Sequence, residues 1–134
     1  MDLTLHIAAL GWETWRNTWL QIAGAIALNG RSTVLCGTLT PGQLADLPAR
    51  GLIGPIHFCL LDAPHDVIAS RLRDRPPWRG STEKFIHAQQ AFAIELRAQI
   101  KPQFDTSILD IGGTAAAIAS WINPLLDPPS PSHN

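Results

Sequence analysis

Two short and nearly continuous apolar runs constrain the fold of this chain more than any other feature. They are STVLCGTL at residues 32–39 and PIHFCLLDA at residues 55–63, and glycine or proline bounds each of them. Runs of this kind are typical of strands that are buried on both faces of a parallel sheet. A third strand is predicted for TSILDI at residues 106–111.

Segments with helical periodicity lie between these runs. The first carries Trp12, Trp15 and Trp19 at spacings of three and four, so that they share one helix face and are expected in the core. Helices and strands then alternate, which predicts an α/β fold in which helices cover both faces of a parallel sheet, a three-layer arrangement. The predicted helices span residues 11–29, 42–47, 65–74, 81–101 with Ser81 as N-cap, and 114–122.

Length and composition limit the domain organisation and the classes of partner. A chain of 134 residues has room for one domain, which we assign to residues 1–126, and the Pro- and Ser-rich stretch at 127–134 is expected to be disordered. The formal net charge of -1 provides no overall field for a nucleic acid or an anionic membrane. Cys36 and Cys59 lie inside the apolar runs and are expected as core side chains, as in a cytoplasmic protein.

The carboxyl ends of the predicted strands are the places where a ligand is expected, because parallel α/β sheets bind ligands there. Gly37 and Thr38 follow the first strand, and Asp62 ends the second. Asp62 either orients a ligand or a magnesium-bound water, or it caps the following helix. Asp110 precedes a Gly-Gly turn whose N–H groups either bind a small anion or are satisfied in a turn with Thr114 as the cap.

Four arginines are concentrated in RLRDRPPWRG at residues 71–80. Arg71 and Arg75 are four residues apart and share a helix face, where like charges repel by roughly 0.2–0.5 kcal/mol unless an anion lies between them. Their guanidinium groups suit the oxygens of a phosphate. The alternative is a solvated helix end, with the arginine stems packed on Trp78.

The order of these motifs resembles the C-terminal half of P-loop small-molecule kinases of the nucleoside, gluconate and shikimate kinase kind. The resemblance covers about residues 12–122 and is carried by LLDAPHDVIASRLRDRP, WRG, FIHAQQAF and ILDIGGTAAAIASWI. It implies ATP and Mg²⁺ as cofactors and phosphoryl transfer to a small hydroxylated acceptor. The site residues that it implies are Arg71, Arg75 and Arg79 as catalytic groups on the phosphates, Arg71, Arg75 and Asp110 toward the cofactor, and Gly37, Thr38 and Asp62 toward the acceptor.

One defining motif of that family is missing from the sequence. The phosphate cradle G-x-x-x-x-G-K-[ST] is not present, because the only lysines are Lys84 and Lys101 and neither follows a glycine. The chain therefore reads as a kinase without its first third, and we expect no ATP turnover from it. The alternative is a non-catalytic domain that associates with itself, as a homo-oligomer, or with another chain through its sheet edge. The runs at 32–39 and 55–63 are then expected either to pair directly or to be completed by another chain.

Overall fold

A computed structural model describes residues 3–37, 39–79 and 81–126 of the chain. The chain divides into two compact units, Met1–Phe58 and Cys59–Asn134. Two predictions fall outside the described residues: the contact of Thr38 with the acceptor, and the disorder of residues 127–134.

The first unit is helical. Helix α1 spans Leu3–Ala27, helix α2 spans Pro41–Ala45, and a 3-10 helix spans Pro48–Leu52. Gly11 interrupts α1 with φ 80° and ψ 161°, a backbone conformation that favours glycine, so that two helical segments meet at this residue.

Helix α2 is short and begins at a capping box. The Thr40 hydroxyl oxygen accepts a hydrogen bond from the Gln43 N–H at 3.2 Å, and the Gln43 side-chain oxygen accepts one from the Thr40 N–H at 3.0 Å. Proline at position 41 supplies the backbone angle of a first helical turn. These local signals start a helix that is too short to be stable by itself, so its stability depends on packing.

A small apolar core holds the first unit together. The side-chain oxygen of Asn17 on α1 accepts a hydrogen bond from the buried N–H of Ala49 at 2.8 Å, which ties the 3-10 helix to α1. Trp12, in contrast to the predicted core position, is 57% exposed. The buried residues of this core are Leu20, Leu44, Leu47 and Ala49, with Leu39, Ile53, Ile56 and Phe58 packed against them.

The second unit contains the sheet. Its elements are β1 (Leu60–Asp62), α3 (His65–Arg73), a 3-10 helix (Pro77–Arg79), α4 (Glu83–Gln99), β2 (Gln103–Asp105) and α5 (Ile111–Leu126). Strands β1 and β2 are parallel, with Leu60 opposite Gln103, Leu61 opposite Phe104 and Asp62 opposite Asp105. The core between α3 and α4 consists of Ala69, Leu72 and Ile86, with Ile68 and Phe85 packed against them.

The predicted three-layer parallel sheet is wrong. The described chain is mostly helical, and its sheet has two strands of three residues each. Residues 32–37 form no strand and have no strand partner in the described part of the chain, and Val34 is 70% exposed. Direct pairing of 32–39 with 55–63, one of the two expected outcomes, is thus not found among the described residues, and completion by another chain stays a prediction. Apolar, β-branched composition favours a strand only where another backbone supplies hydrogen bonds.

The second and third predicted strands are corrected in position. The run 55–63 is a strand only at Leu60–Asp62. The predicted strand at 106–111 is replaced by β2, which ends at Asp105. There the Asp105 side chain accepts a hydrogen bond from the Ser107 N–H at 2.8 Å, and the Leu109 N–H donates to the Asp105 carbonyl at 3.0 Å. These two bonds turn the chain and end the strand.

Helix α3 confirms the prediction for residues 65–74 to within one residue. Helix α4 is also confirmed, but Thr82 rather than Ser81 is its N-cap, and the Thr82 hydroxyl accepts from the Phe85 N–H at 3.2 Å. Helix α5 extends beyond the predicted range at both ends.

Among the described residues, no helix has the length and the apolar character that crossing a membrane requires. Cys36, predicted to lie in a buried strand, is exposed, and Cys59 is half-buried.

Candidate functional site

The candidate site lies at the carboxyl ends of β1 and β2. Asp62 ends β1, and its register partner Asp105 ends β2. Thr106 follows β2 and donates to the Asp62 carbonyl twice, from its N–H at 2.8 Å and from its hydroxyl at 3.0 Å. Thr106 therefore joins the two strand ends at the place where parallel sheets bind ligands.

Arg97 on α4 binds the Asp62 carboxylate with a bidentate contact. Its Nε donates to Oδ2, and one terminal nitrogen donates to Oδ1 at 2.9 Å and to the Ala63 carbonyl at 3.0 Å. The side chains of Arg97 and Asp62 are 27% and 17% exposed, so that water screens the pair only in part. The hydrogen bond from Arg97 is the main reason why the pKa of Asp62 lies below its ordinary value.

His65, the first residue of α3, extends this cluster. Its Nε2 lies 2.9 Å from the other terminal nitrogen of Arg97. A guanidinium group only donates, so Nε2 is the acceptor of this hydrogen bond. Gln90 on α4 donates to the His65 carbonyl at 3.1 Å, which fixes the start of α3 against α4.

This geometry excludes one of the two roles that were open for Asp62, and the role toward a ligand stays a prediction. Asp62 does not cap α3, because the N-cap is Pro64 and no side chain caps the helix there. Each of its carboxylate oxygens accepts a hydrogen bond from Arg97. The part of the chain that the structure describes contains no group of three or more His, Cys, Asp or Glu side chains arranged to hold a metal ion.

Arg71 reaches the same strand ends from α3. One terminal nitrogen donates to the Thr106 hydroxyl oxygen at 2.6 Å, and the other donates to the Thr106 carbonyl oxygen at 2.8 Å. Both acceptors are neutral. Arg71 and Asp62, two of the predicted site residues, are therefore brought together through Thr106.

The other arginines of the segment 71–79 have different environments. Arg73 forms an exposed ion pair with Glu83 at 2.9 Å, which lowers the pKa of Glu83. Arg75 lies beyond the end of α3 and is exposed, and its side chain has no hydrogen bond or ion pair within the described part of the chain. Arg79 lies over the ring of Trp78, with its guanidinium carbon 5.0 Å from the ring centroid, and Trp78 is 77% exposed. The contact with Trp78 is thus made by the guanidinium of Arg79, and the packing of arginine stems on this ring stays a prediction.

We call Arg71, Arg75 and Arg79 the arginine strip. None of the three has a carboxylate partner among the described residues, whereas Arg73 and Arg97 in the same unit each have one. The strip therefore has three positive charges that no acidic side chain in the described part neutralises.

Gly37 and Asp110 are the remaining predicted site residues within the described part of the chain. Gly37 belongs to the first unit. Asp110 caps α5, because its carboxylate accepts from the Gly113 N–H at 2.6 Å and its carbonyl accepts from the Thr114 N–H at 2.8 Å. Asp110 rather than Thr114 is therefore the capping residue, and the N–H groups of Gly113 and Thr114 donate to Asp110.

Arg97, His65 and Thr106 belong to the cluster and were not predicted. The signal for Arg97 is weak: it is a cation beside the buried Leu96, on a helix that must pack near a strand ending in an acid. Thr106 was assigned to a strand, which concealed its role as the residue just after one.

Comparisons of the chain with models of protein families, with curated proteins and with solved structures found no match. The resemblance to P-loop small-molecule kinases therefore stays a prediction.

Proposed function

We propose that the chain binds phosphate-bearing ligands through the arginine strip, and that these arginines serve ATP-dependent phosphoryl transfer to a small hydroxylated acceptor only in a form of the protein that also has the phosphate cradle. The observation that supports this function is the contrast within one unit between arginines with and without a carboxylate. Arg73 and Arg97 are neutralised by Glu83 and Asp62, whereas the strip has no acidic partner in the described part.

The chemistry of the strip suits an anion with several oxygens. Arginine presents its N–H groups in a planar fork that matches phosphate oxygens, and such charge-assisted bonds are about twice as strong as neutral ones. The Trp78 ring restricts the directions that the Arg79 guanidinium can take, which reduces the entropy lost when an anion binds.

In this reaction class, positive groups around the transferring phosphoryl supply most of the catalysis. Bound ATP with its magnesium ion would supply the phosphoryl group, and Arg71, Arg75 and Arg79 would hold its phosphates. A cytoplasmic location belongs to the same proposal, because ATP is the donor. The sequence contains no G-x-x-x-x-G-K-[ST] motif, and we expect this chain to bind ATP without turning it over.

Calorimetry at low salt tests the proposal with ATP and pyrophosphate as ligands. The variant Arg75→Ala/Arg79→Ala is expected to bind at least about tenfold more weakly than the unchanged chain, which corresponds to about 1.4 kcal/mol. The matched control is Arg73→Ala/Lys84→Ala, which removes the same charge from outside the strip and should bind like the unchanged chain. Equal weakening in both variants would mean that general charge, and not the strip, attracts the anion.

A second candidate function is association with another copy through the sheet edge. It is favoured by the two-stranded sheet, whose edges carry no further strand among the described residues, and by the 50% exposure of Leu61 in β1. Sedimentation over a range of concentrations distinguishes the candidates. A concentration-dependent dimer without pyrophosphate affinity would support association and reject phosphate binding.

A further inference from the structure

We propose that Thr106 occupies the Arg71 guanidinium in the ligand-free protein and that an anion with two adjacent oxygens displaces it. This inference rests on the proposed function, because the anion is the one that the arginine strip binds. It adds the class of ligand that Arg71 accepts and an internal competitor for that ligand.

The geometry at Arg71 is that of a two-oxygen ligand. Two terminal nitrogens of one guanidinium donate to two oxygens of one residue, at 2.6 Å to the Thr106 hydroxyl and at 2.8 Å to the Thr106 carbonyl. A phosphoryl group or a carboxylate offers the same kind of oxygen pair to this fork. A monatomic anion such as chloride offers one acceptor and cannot replace both contacts.

Thr106 keeps two of its hydrogen bonds when an anion displaces it from Arg71. Its hydroxyl still donates to the Asp62 carbonyl at 3.0 Å, and its N–H still donates to the same oxygen at 2.8 Å, after Arg71 has left. The join between β1 and β2 therefore does not depend on Arg71.

Arg71 gains from the exchange. Its present acceptors are neutral, whereas a phosphate oxygen is charged and accepts a stronger hydrogen bond. Arg71 is exposed, so an anion reaches it without opening the core. Arg75 and Arg79 follow Arg71 closely in the sequence and have no ion pair among the described residues, so we expect an anion of high charge, such as pyrophosphate, to be favoured over a single carboxylate.

The contact between Arg71 and Thr106 lowers the affinity of the free protein for the anion, because the anion must first replace this contact. Removing one of the two acceptors should therefore raise the affinity. Thr106→Val keeps the shape of the side chain and removes the hydroxyl acceptor. We expect pyrophosphate to bind about three- to tenfold more tightly to this variant, which is the range for one net hydrogen bond.

The experiment titrates pyrophosphate into the full chain and its variants at constant ionic strength. Ser107→Ala is the matched control, because the Ser107 hydroxyl lies in the same turn and bonds to Asp105 instead of Arg71. Thr106→Ser retains the acceptor and should bind like the unchanged chain. An affinity of Thr106→Val equal to or weaker than that of Ser107→Ala would overturn the inference.

Nuclear magnetic resonance on the unchanged chain gives a second measurement that needs no variant to fold. The Thr106 methyl signal should shift when pyrophosphate is added and stay in place when the same ionic strength is reached with chloride. A methyl signal that pyrophosphate leaves unchanged, while binding still occurs through Arg75 and Arg79, rejects the competition at Arg71 but leaves the proposed function intact. No pyrophosphate binding by the unchanged chain rejects the proposed function itself.

Discussion

Replacing Arg97 by methionine removes the cation from the Asp62 carboxylate while retaining most of the arginine stem. Three partners of Arg97 then lose a donor: the carboxylate of Asp62, the Ala63 carbonyl and the His65 ring. The Asp62 carboxylate keeps only the hydrogen bond from the Ala63 N–H at 2.8 Å. We expect this substitution to destabilise the second unit.

The magnitude follows from the exposure of the pair. Removing one member of a buried ion pair costs about 3–5 kcal/mol, and an exposed pair contributes about 0–1 kcal/mol. The Arg97 and Asp62 side chains are 27% and 17% exposed, closer to the buried limit. We therefore expect a loss of about 2–3 kcal/mol in the free energy of unfolding.

This loss should depend on pH. The folded pKa of Asp62 lies below its ordinary value of 3.8, chiefly because Arg97 donates to the carboxylate. The corresponding stability is complete above the pKa of the unfolded chain and disappears as the pH falls through the folded pKa. The difference between the unchanged chain and Arg97→Met should accordingly be largest at neutral pH and shrink below about pH 4.

Hydrogen exchange of the Thr106 amide measures the effect where it arises, since this N–H donates to the Asp62 carbonyl. The control is Arg73→Met, which breaks an exposed ion pair in the same unit and should leave Thr106 protected. If the Thr106 amide exchanges no faster in Arg97→Met than in Arg73→Met at pH 7, the ion pair does not stabilise the strand ends and the reasoning is refuted.

Three further substitutions test the packing of the two units. Ile86→Ala truncates a side chain that is 1% exposed, and it should cost about 2–5 kcal/mol in urea unfolding; a smaller loss would mean that α3 and α4 close the space. Asn17→Ala leaves the buried Ala49 N–H without its acceptor and should cost about 1–3 kcal/mol, with faster exchange of that amide as the specific signal. Gly24→Ala places a Cβ 3.1 Å from the Leu52 Cβ and should lower the melting temperature, whereas an unchanged melting temperature would show that the 3-10 helix moves freely.

The helices of the second unit could be predicted from the sequence because their signals are local. Pro64 and Asp66 mark the start of α3, and the spacing of apolar residues marks α4. The sheet could not be predicted in the same way. Residues 32–37 have a strong β-propensity but no strand partner within the part of the chain that the structure describes. Gln103–Asp105 has two polar residues in three and becomes a strand because β1 lies beside it.

The candidate site was predictable to a similar extent. The position of Asp62 at a strand end follows from residue type and neighbours in the sequence, whereas phosphate binding by Arg71 stays a prediction. Arg97 is 35 residues from Asp62, and their meeting depends on how α4 returns over the strand. A sequence pattern of a few residues contains no information on that distance.

The parallel pairing of β1 and β2 also has a consequence for how the second unit is expected to fold. Asp62 and Thr106 are 44 residues apart in sequence, and parallel strands cannot be joined by a tight turn. Closing so long a loop lowers the entropy of the chain, and the few hydrogen bonds between the strands offset this loss only after they have formed. We expect the packing of α3 on α4 around Ile86 to form early, because it is local in sequence and brings the two strands closer. We accordingly expect the cluster around Asp62 to form after this packing and to open more readily than the core around Ile86.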